Sequence, residues 1–363
     1  MHTSATDYDR VSAWFRGHAD DSRARVVEFT DRQAAEHFTV PHADVLGSVL
    51  TGFVTRGKYV RSTFAYLGWR CGQPDDPRAA QAAASLELLH AFALIQDDVM
   101  DDSAVRRGAP AVHAQLETWA AGRESVRQPG AFGRSAAVLL SDLCLIWAER
   151  MLREADLGPA AMARGWRVYD LMRAELAVGQ FGDLLNEASA HPTLDDVLDV
   201  ARRKSGNYTV RRPLELGAAL AGCSPAITAA LGRYGEAIGE AFQLRDDLLG
   251  VFGDPTVTGK PVGDDLFQGK ATTVIVAARE LAQDRLATEL RRLAARRPEH
   301  AQERVEWVRQ WQDVIRESGA EKWAEEAIAA RVDRALAALR PAVTGFARDA
   351  LVVLADQATR RSA

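Results

Sequence analysis

Residues 90–102 read HAFALIQDDVMDD. Asp97, Asp98 and Asp101 close a run that is otherwise mostly apolar. On a helix, Asp97 and Asp101 share a face one turn apart, about 6 Å along the axis. His90 falls on the same stripe, two turns earlier. Like charges at this spacing repel and weaken a helix. Phe92, Ala93, Leu94 and Ile95 stand immediately upstream, which places the charges beside apolar packing. Two readings are open: a solvated helix end, or carboxylates held against a hard divalent cation. Mg²⁺ suits the second, since it takes one or two carboxylates and completes its shell with waters and phosphate oxygens.

Outward from this stretch the chain reads as helix after helix. Segments 79–101, 134–156, 159–185, 194–222, 225–251 and 270–297, with more helices from 301 to 358, are rich in alanine and leucine. Both favour helix, and apolar residues recur at three and four. Prolines fall between these segments, and Ser224–Pro225 forms an N-cap followed by proline at the first helical position. Segments 79–101 and 134–156 are apolar on nearly every face and are expected to lie centrally. The fold class is therefore all-α: a large helical bundle around a central cavity. Residues 36–363 are expected to form a single domain, preceded over 1–35 by an N-terminal extension, partly disordered.

A second acidic turn lies in AFQLRDDLLGVFGD, residues 241–254, with Asp246 and Asp247 in an apolar helix and Gln243 one turn before Asp247. Two such turns on two helices suit a metal-bridged polyphosphate clamped between them. Basic residues stand near both: Lys58 and Arg61 in RGKYVR, Arg106 and Arg107 five residues after Asp101, and Lys204 with Ser205 in RRKSGNYT. Lys260 and Lys270 lie in the Gly/Pro-rich stretch FGDPTVTGKPVGDDLFQGK, residues 252–270. Arg forks match phosphate oxygens at two points, and Lys supplies a mobile charge. Singly, each is an ordinary surface residue.

Composition excludes other classes. The net charge is −5 and the pI near 6.0, which gives no basic footprint for nucleic acid. Nothing approaches eighteen uninterrupted apolar residues, so no membrane span is expected. The polar start MHTSATDYDRVSAWFRGHADD does not resemble a secretory signal, and cytoplasmic residence is the expectation. Cys71, Cys144 and Cys223 are widely spaced, which argues against a disulfide framework or a zinc site.

Taken in order, these motifs resemble the trans-isoprenyl diphosphate synthase (polyprenyl synthetase) family, most nearly its bacterial geranylgeranyl diphosphate synthases. ELLHAFALIQDDVMDDSAVRRGAPAVH resembles the family's first aspartate-rich motif, and residues 241–270 its second with the following lysine loop. Lys58 and Arg61 match its glycine–lysine–x–x–arginine motif, and Lys204–Ser205 its lysine–threonine pair. The resemblance runs from about residue 40 to 280. It implies Mg²⁺-dependent head-to-tail joining of isopentenyl diphosphate to an allylic diphosphate by a homodimer. By the family pattern, Asp97 and Asp101 hold Mg²⁺, and Asp246 and Asp247, with Asp264 as an outer ligand, serve the third of three ions. Arg106, Lys204, Ser205, Gln243, Lys260 and Lys270 would contact the allylic diphosphate. Lys58, Arg61, His90 and Arg107 would hold isopentenyl diphosphate. Four positions depart from the pattern: Ser62 for proline, Ser205 for threonine, Gln96 for a frequent histidine, and Gly250 in the third acidic place of the second motif.

A growing chain would pass one turn upstream of Asp97. Small Ala93 with large Phe92 resembles the pattern of C20-forming members, so geranylgeranyl diphosphate is the expected product and farnesyl diphosphate (C15) the alternative. A class I terpene cyclase would lack the second set of cations, and a non-catalytic partner subunit would have lost an acid or a base from the motifs.

Overall fold

Caps and prolines set the helix starts. Asp76 accepts from the Arg78 amide ahead of Pro77, Ser224 accepts from the Ile227 amide ahead of Pro225, and Thr193 and Asp196 form a reciprocal capping box. The structure, a computed structural model, describes residues 5–189, 191–253, 263–298 and 300–359. In chain order the elements are α1 (Ala5–His37), α2 (Asp44–Val54), α3 (Val60–Arg70), α4 (Pro77–Met100), the hairpin β1 (Val105–Arg106) and β2 (Ala109–Pro110), and α5 (Val112–Ala121). They continue with α6 (Pro129–Arg153), α7 (Pro159–Ala188), α8 (Leu194–Val200), a π-helix (Ala201–Arg211), α9 (Arg212–Ala221) and α10 (Pro225–Phe252). The last are α11 (Asp264–Gln268), α12 (Thr273–Leu281), α13 (Asp284–Ala295), α14 (Ala301–Ser318), α15 (Ala320–Leu339) and α16 (Gly345–Thr359).

These elements group into two compact units, a finer division than the single domain expected over 36–363: Met1–Gly165 with Leu216–Cys223, and Trp166–Glu215 with Ser224–Ala363. In the first unit α4 is the central helix. Leu86, Leu88, Leu89 and Ile95 are fully buried, and α4 packs on α6, α3 and α1. Helix α6 is less central than its composition suggests: Leu139 is 64% exposed and Ile146 59%. It is also the one helix among the described residues long and apolar enough to cross a membrane by length and composition, although its apolar residues are interrupted by charged ones. Its other side packs on α4 and α5, and Ser141 accepts from the Gln96 amide at 3.0 Å.

The N-terminal extension is helical from Ala5 onward. Val11, His18, Ser22, Val26, Phe29 and Gln33 are buried at the three-and-four spacing of one helix face. The polar residues between them hide that stripe in the sequence. His18 stacks against both Trp14 and Tyr66 of α3, with ring centroids 5.4 and 4.7 Å away, and those two rings lie 6.5 Å from each other.

In the second unit α10 is central. Tyr234, Ile238, Ala241 and Leu244 are buried along it, against the π-helix, α15 and α16. Trp307 and Trp311 of α14 join the same apolar cluster as Val274 and Ile275 of α12. The expected helices at 194–222 and 270–297 are both interrupted. The first contains the π-helix, and the second breaks at Ala282–Gln283.

Candidate active site

The first unit carries the acidic turn at the C-terminal end of α4. Asp97 and Asp101 stack one turn apart, the Asp101 amide donating to the Asp97 carbonyl at 2.9 Å. Asp98 is fully buried. The chain then folds back through the hairpin, whose turn residues Arg107 and Gly108 both have positive φ, 54° and 72°. This is the tight two-residue turn for which glycine is suited. Arg106 Nε donates to Asp98 Oδ1 at 2.7 Å, and its Nη2 reaches Asp97 Oδ2 at 3.2 Å and Asp98 Oδ1. The carboxylates hold the guanidinium protonated above its ordinary value, against the opposing effect of burial. Burial, only partly offset by Arg106, raises the Asp98 carboxyl.

Arg107, the next residue, goes elsewhere. Its Nη1 donates to the Phe53 carbonyl at 3.2 Å, and its guanidinium lies 5.2 Å from the Phe53 ring centroid. Burial and Arg61 lower the Arg107 pKa, and Glu87 opposes them. Burial first, then Arg61, Arg107 and Arg106, depress the His90 pKa well below 6.5, so His90 is a neutral imidazole among cations. Glu87 is a buried acid beside this group. It accepts from the Ser62 amide at 2.9 Å, so the residue that replaces proline here provides a donor that proline lacks. Lys58 is exposed and Arg61 half-buried at the start of α3. Cations set close together in this way can bind an anion.

The second unit carries the other acidic turn. Asp247 is buried, and its carboxylate accepts from Gln243 Nε2 at 2.8 Å, the Thr273 amide at 2.9 Å and the Thr273 hydroxyl. Burial nevertheless pushes its pKa up to about 7, with Asp265 adding repulsion. Asp247, expected as a metal ligand, thus ties α10 to the start of α12, and Gln243, expected at the allylic diphosphate, donates to it from one turn earlier on α10. Gly250 explains how the second motif tolerates losing its third acid. A Cβ built there would overlap the Asp265 carboxylate, so Asp265 of α11 occupies the space that an acid at 250 would need. Lys270 donates its amide to the Asp265 carbonyl at 2.9 Å. Lys260 lies outside the described residues, as does the side chain of Asp264.

Lys204 and Ser205 ride on the π-helix, where the wider turn re-aims side chains, a device frequent at functional sites. Lys204 Nζ pairs with Asp183 Oδ2 at 2.5 Å. Beside them Gly206 meets Gly239 of α10 so closely that a Cβ on Gly239 would sit 2.5 Å from the Gly206 backbone.

Asp98, Glu87, Asp183, Asp265 and Thr273 were not expected from sequence. The glycine at 250 signals space for another acid, but not which one fills it. The others become partners only through tertiary folding. Among the described residues no three His, Cys, Asp or Glu side chains converge as a ready-made metal cage. Mg²⁺ does not need one, because waters and substrate phosphates complete its shell. The all-oxygen pair Asp97 and Asp101, one turn apart, fits that demand.

The family model described as polyprenyl synthetase matches residues 43–311. The geranylgeranyl diphosphate synthase of Mycobacterium tuberculosis is 38% identical over 234 residues, 64% of this chain and 61% of that protein. The chain therefore spans less than two thirds of that relative. The geranylfarnesyl diphosphate synthase of Aeropyrum pernix is 32% identical over 84% of this chain and 90% of its own length. A geranylgeranyl pyrophosphate synthase from Corynebacterium glutamicum, solved with isoprenyl diphosphate and magnesium, superposes with a TM-score of 0.88 at 36% identity, covering 95% of this chain and 99% of that one.

Proposed function

The chain belongs to the polyprenyl synthetase family, with its all-α isoprenoid synthase fold, and from that premise we propose that it joins isopentenyl diphosphate head to tail to an allylic diphosphate, making geranylgeranyl diphosphate. The divergence of Arg106 and Arg107 carries this reading. Arg106 belongs to the carboxylate turn, while Arg107 belongs with Arg61 and His90. Adjacent residues thereby serve two anions, as a two-substrate diphosphate reaction requires.

In the reaction the allylic C–O bond breaks, the alkene of isopentenyl diphosphate attacks the allylic carbon, and a proton leaves for the released diphosphate. Asp97 and Asp101, with Asp246 and the Asp264–Asp265 pair, would hold three Mg²⁺ ions. Bound Mg²⁺ neutralises the charge that develops on the leaving diphosphate, where stabilisation confined to the transition state raises the rate. Arg106, Lys204, Ser205, Lys260 and Lys270 hold the allylic diphosphate. Asp183 keeps Lys204 in place until substrate arrives. Lys58, Arg61, Arg107 and neutral His90 hold isopentenyl diphosphate, His90 as a hydrogen-bond donor that adds no repulsion. Asp247 braces α10 against α12 and Gln243 steadies its carboxylate.

For chain length, Phe92 and Ala93 are half-buried in a helix that is otherwise closed at Ala91 and Ile95. This supports Phe92 as the stop for a C20 chain. Farnesyl diphosphate is the second reading, should Phe92 close the path one isoprene earlier. The exposed apolar face of α6 at Val138, Leu139 and Ile146 supports a homodimer, and we place the reaction in the cytoplasm. The test is diphosphate release from dimethylallyl, geranyl and farnesyl diphosphates. Release must require both Mg²⁺ and isopentenyl diphosphate. Release without isopentenyl diphosphate would instead indicate a cyclase.

A further inference from the structure

The turn that carries Lys58 and Arg61 has an uncommon backbone. Tyr59 has φ 55°, the left-handed region that a bulky residue adopts only when its surroundings enforce it. Part of the enforcement is local. Its hydroxyl donates to the Val54 carbonyl at 2.9 Å, and the Ser62 and Thr63 hydroxyls donate to its own carbonyl at 2.9 and 2.8 Å.

The rest comes from α1. Arg23 Nη2 donates to the Gly57 carbonyl at 3.3 Å, and its guanidinium lies 5.1 Å from the Tyr59 ring centroid. Arg23 is steadied by Asp20 at 2.5 Å, and its Nε is buried without a hydrogen-bond partner. It therefore grips both ends of the Gly57–Lys58–Tyr59 turn. A Cβ on Gly57 would meet the Tyr59 ring at 3.1 Å and Arg107 Nη1 at 3.5 Å, so the gripped turn also abuts Arg107. Helix α1 can bear this role because the Trp14–His18–Tyr66 stack fixes it to α3, the helix that begins beside Lys58. Residue 23 lies outside the span matched by the family model.

We propose that Arg23 is a positioning residue for the isopentenyl diphosphate site. It holds the left-handed turn that aims Lys58 and Arg61, and it touches neither substrate. This rests on the assignment of Lys58, Arg61, His90 and Arg107 to that substrate. The test is steady-state kinetics of the full chain with each substrate varied in turn.

Losing one charge-assisted hydrogen bond should raise KM for isopentenyl diphosphate about tenfold in Arg23→Ala. KM for the allylic diphosphate should stay within about twofold, since Arg106 is held by Asp97 and Asp98 and not by the turn that Arg23 grips. Arg23→Lys, which can donate to Gly57 but lacks the planar guanidinium over Tyr59, should recover part of the loss. Arg25→Ala, on the same helix, should change neither constant. Equal rises in both KM values, or no rise in either, overturn the proposal. If Arg23→Ala does not fold, Arg23→Gln takes its place under the same criteria. Should the wild-type protein make no prenyl product, the synthase reading fails on its own. Calorimetry with inorganic diphosphate then decides the role of Arg23: weaker binding by Arg23→Ala supports it, and an unchanged Kd refutes it.

Discussion

Acidification should loosen α1 through His18. The imidazole is buried against Trp14 and Tyr66, near the Ser22 hydroxyl at 3.4 Å. Desolvation lowers its pKa from 6.5 to about 4, against the opposing effect of a Ser62 backbone hydrogen bond and Asp21. The folded pKa lies below the unfolded one, so the neutral ring is the folded form. Its contribution is complete above about pH 6.5 and is lost as pH falls toward 4. The full difference is worth about 3 kcal/mol, of which about 2 kcal/mol is expressed at about pH 5. The assay compares urea unfolding of the wild type and His18→Gln at about pH 7.5 and about pH 5. Glutamine does not titrate, so the wild type's advantage over the variant should shrink by about 2 kcal/mol between the two conditions. An advantage that stays constant with pH would refute the burial argument, as would a His18 resonance titrating near 6.5.

Asp97→Ala removes a carboxylate from the first acidic turn, and turnover should fall by about 10²–10³ or more; normal turnover would remove it from the metal site. Asp98→Ala leaves Arg106 without its main buried partner, which should cost about 3–5 kcal/mol in unfolding free energy; an unchanged urea midpoint would show that the pair is solvated. Phe92→Ala should shift the product toward longer chains, read by mass; an unchanged distribution would place the stop elsewhere.

The helical class was legible because alanine, leucine and proline punctuation act locally. Ser224–Pro225 opens α10 as its local chemistry requires. The π-helix was not legible, because its wider winding accompanies the close Gly206–Gly239 crossing and apolar spacing does not report a tertiary contact. In the site, residue types and order were readable, but partners were not. Arg106 meets Asp98 only after the Arg107–Gly108 turn reverses the chain. Asp264 and Asp265 are adjacent and chemically identical, so sequence had no means to tell which would fill the space beside Gly250. For Asp247 the sequence shows the acid but not its hydrogen bonds to Thr273. The α1 stripe escaped notice because His18, Ser22 and Gln33 are polar residues in buried positions.

The activity proposed for this chain is a condensation that makes a C20 diphosphate. The most direct measurement incubates the protein with Mg²⁺, isopentenyl diphosphate and each allylic primer in turn, then identifies the dephosphorylated products by mass. A C20 alcohol formed only when Mg²⁺ and isopentenyl diphosphate are both present is the predicted result. A product that stops at C15 would overturn the chain-length assignment, and no prenyl product from any primer by the folded protein would contradict the account itself.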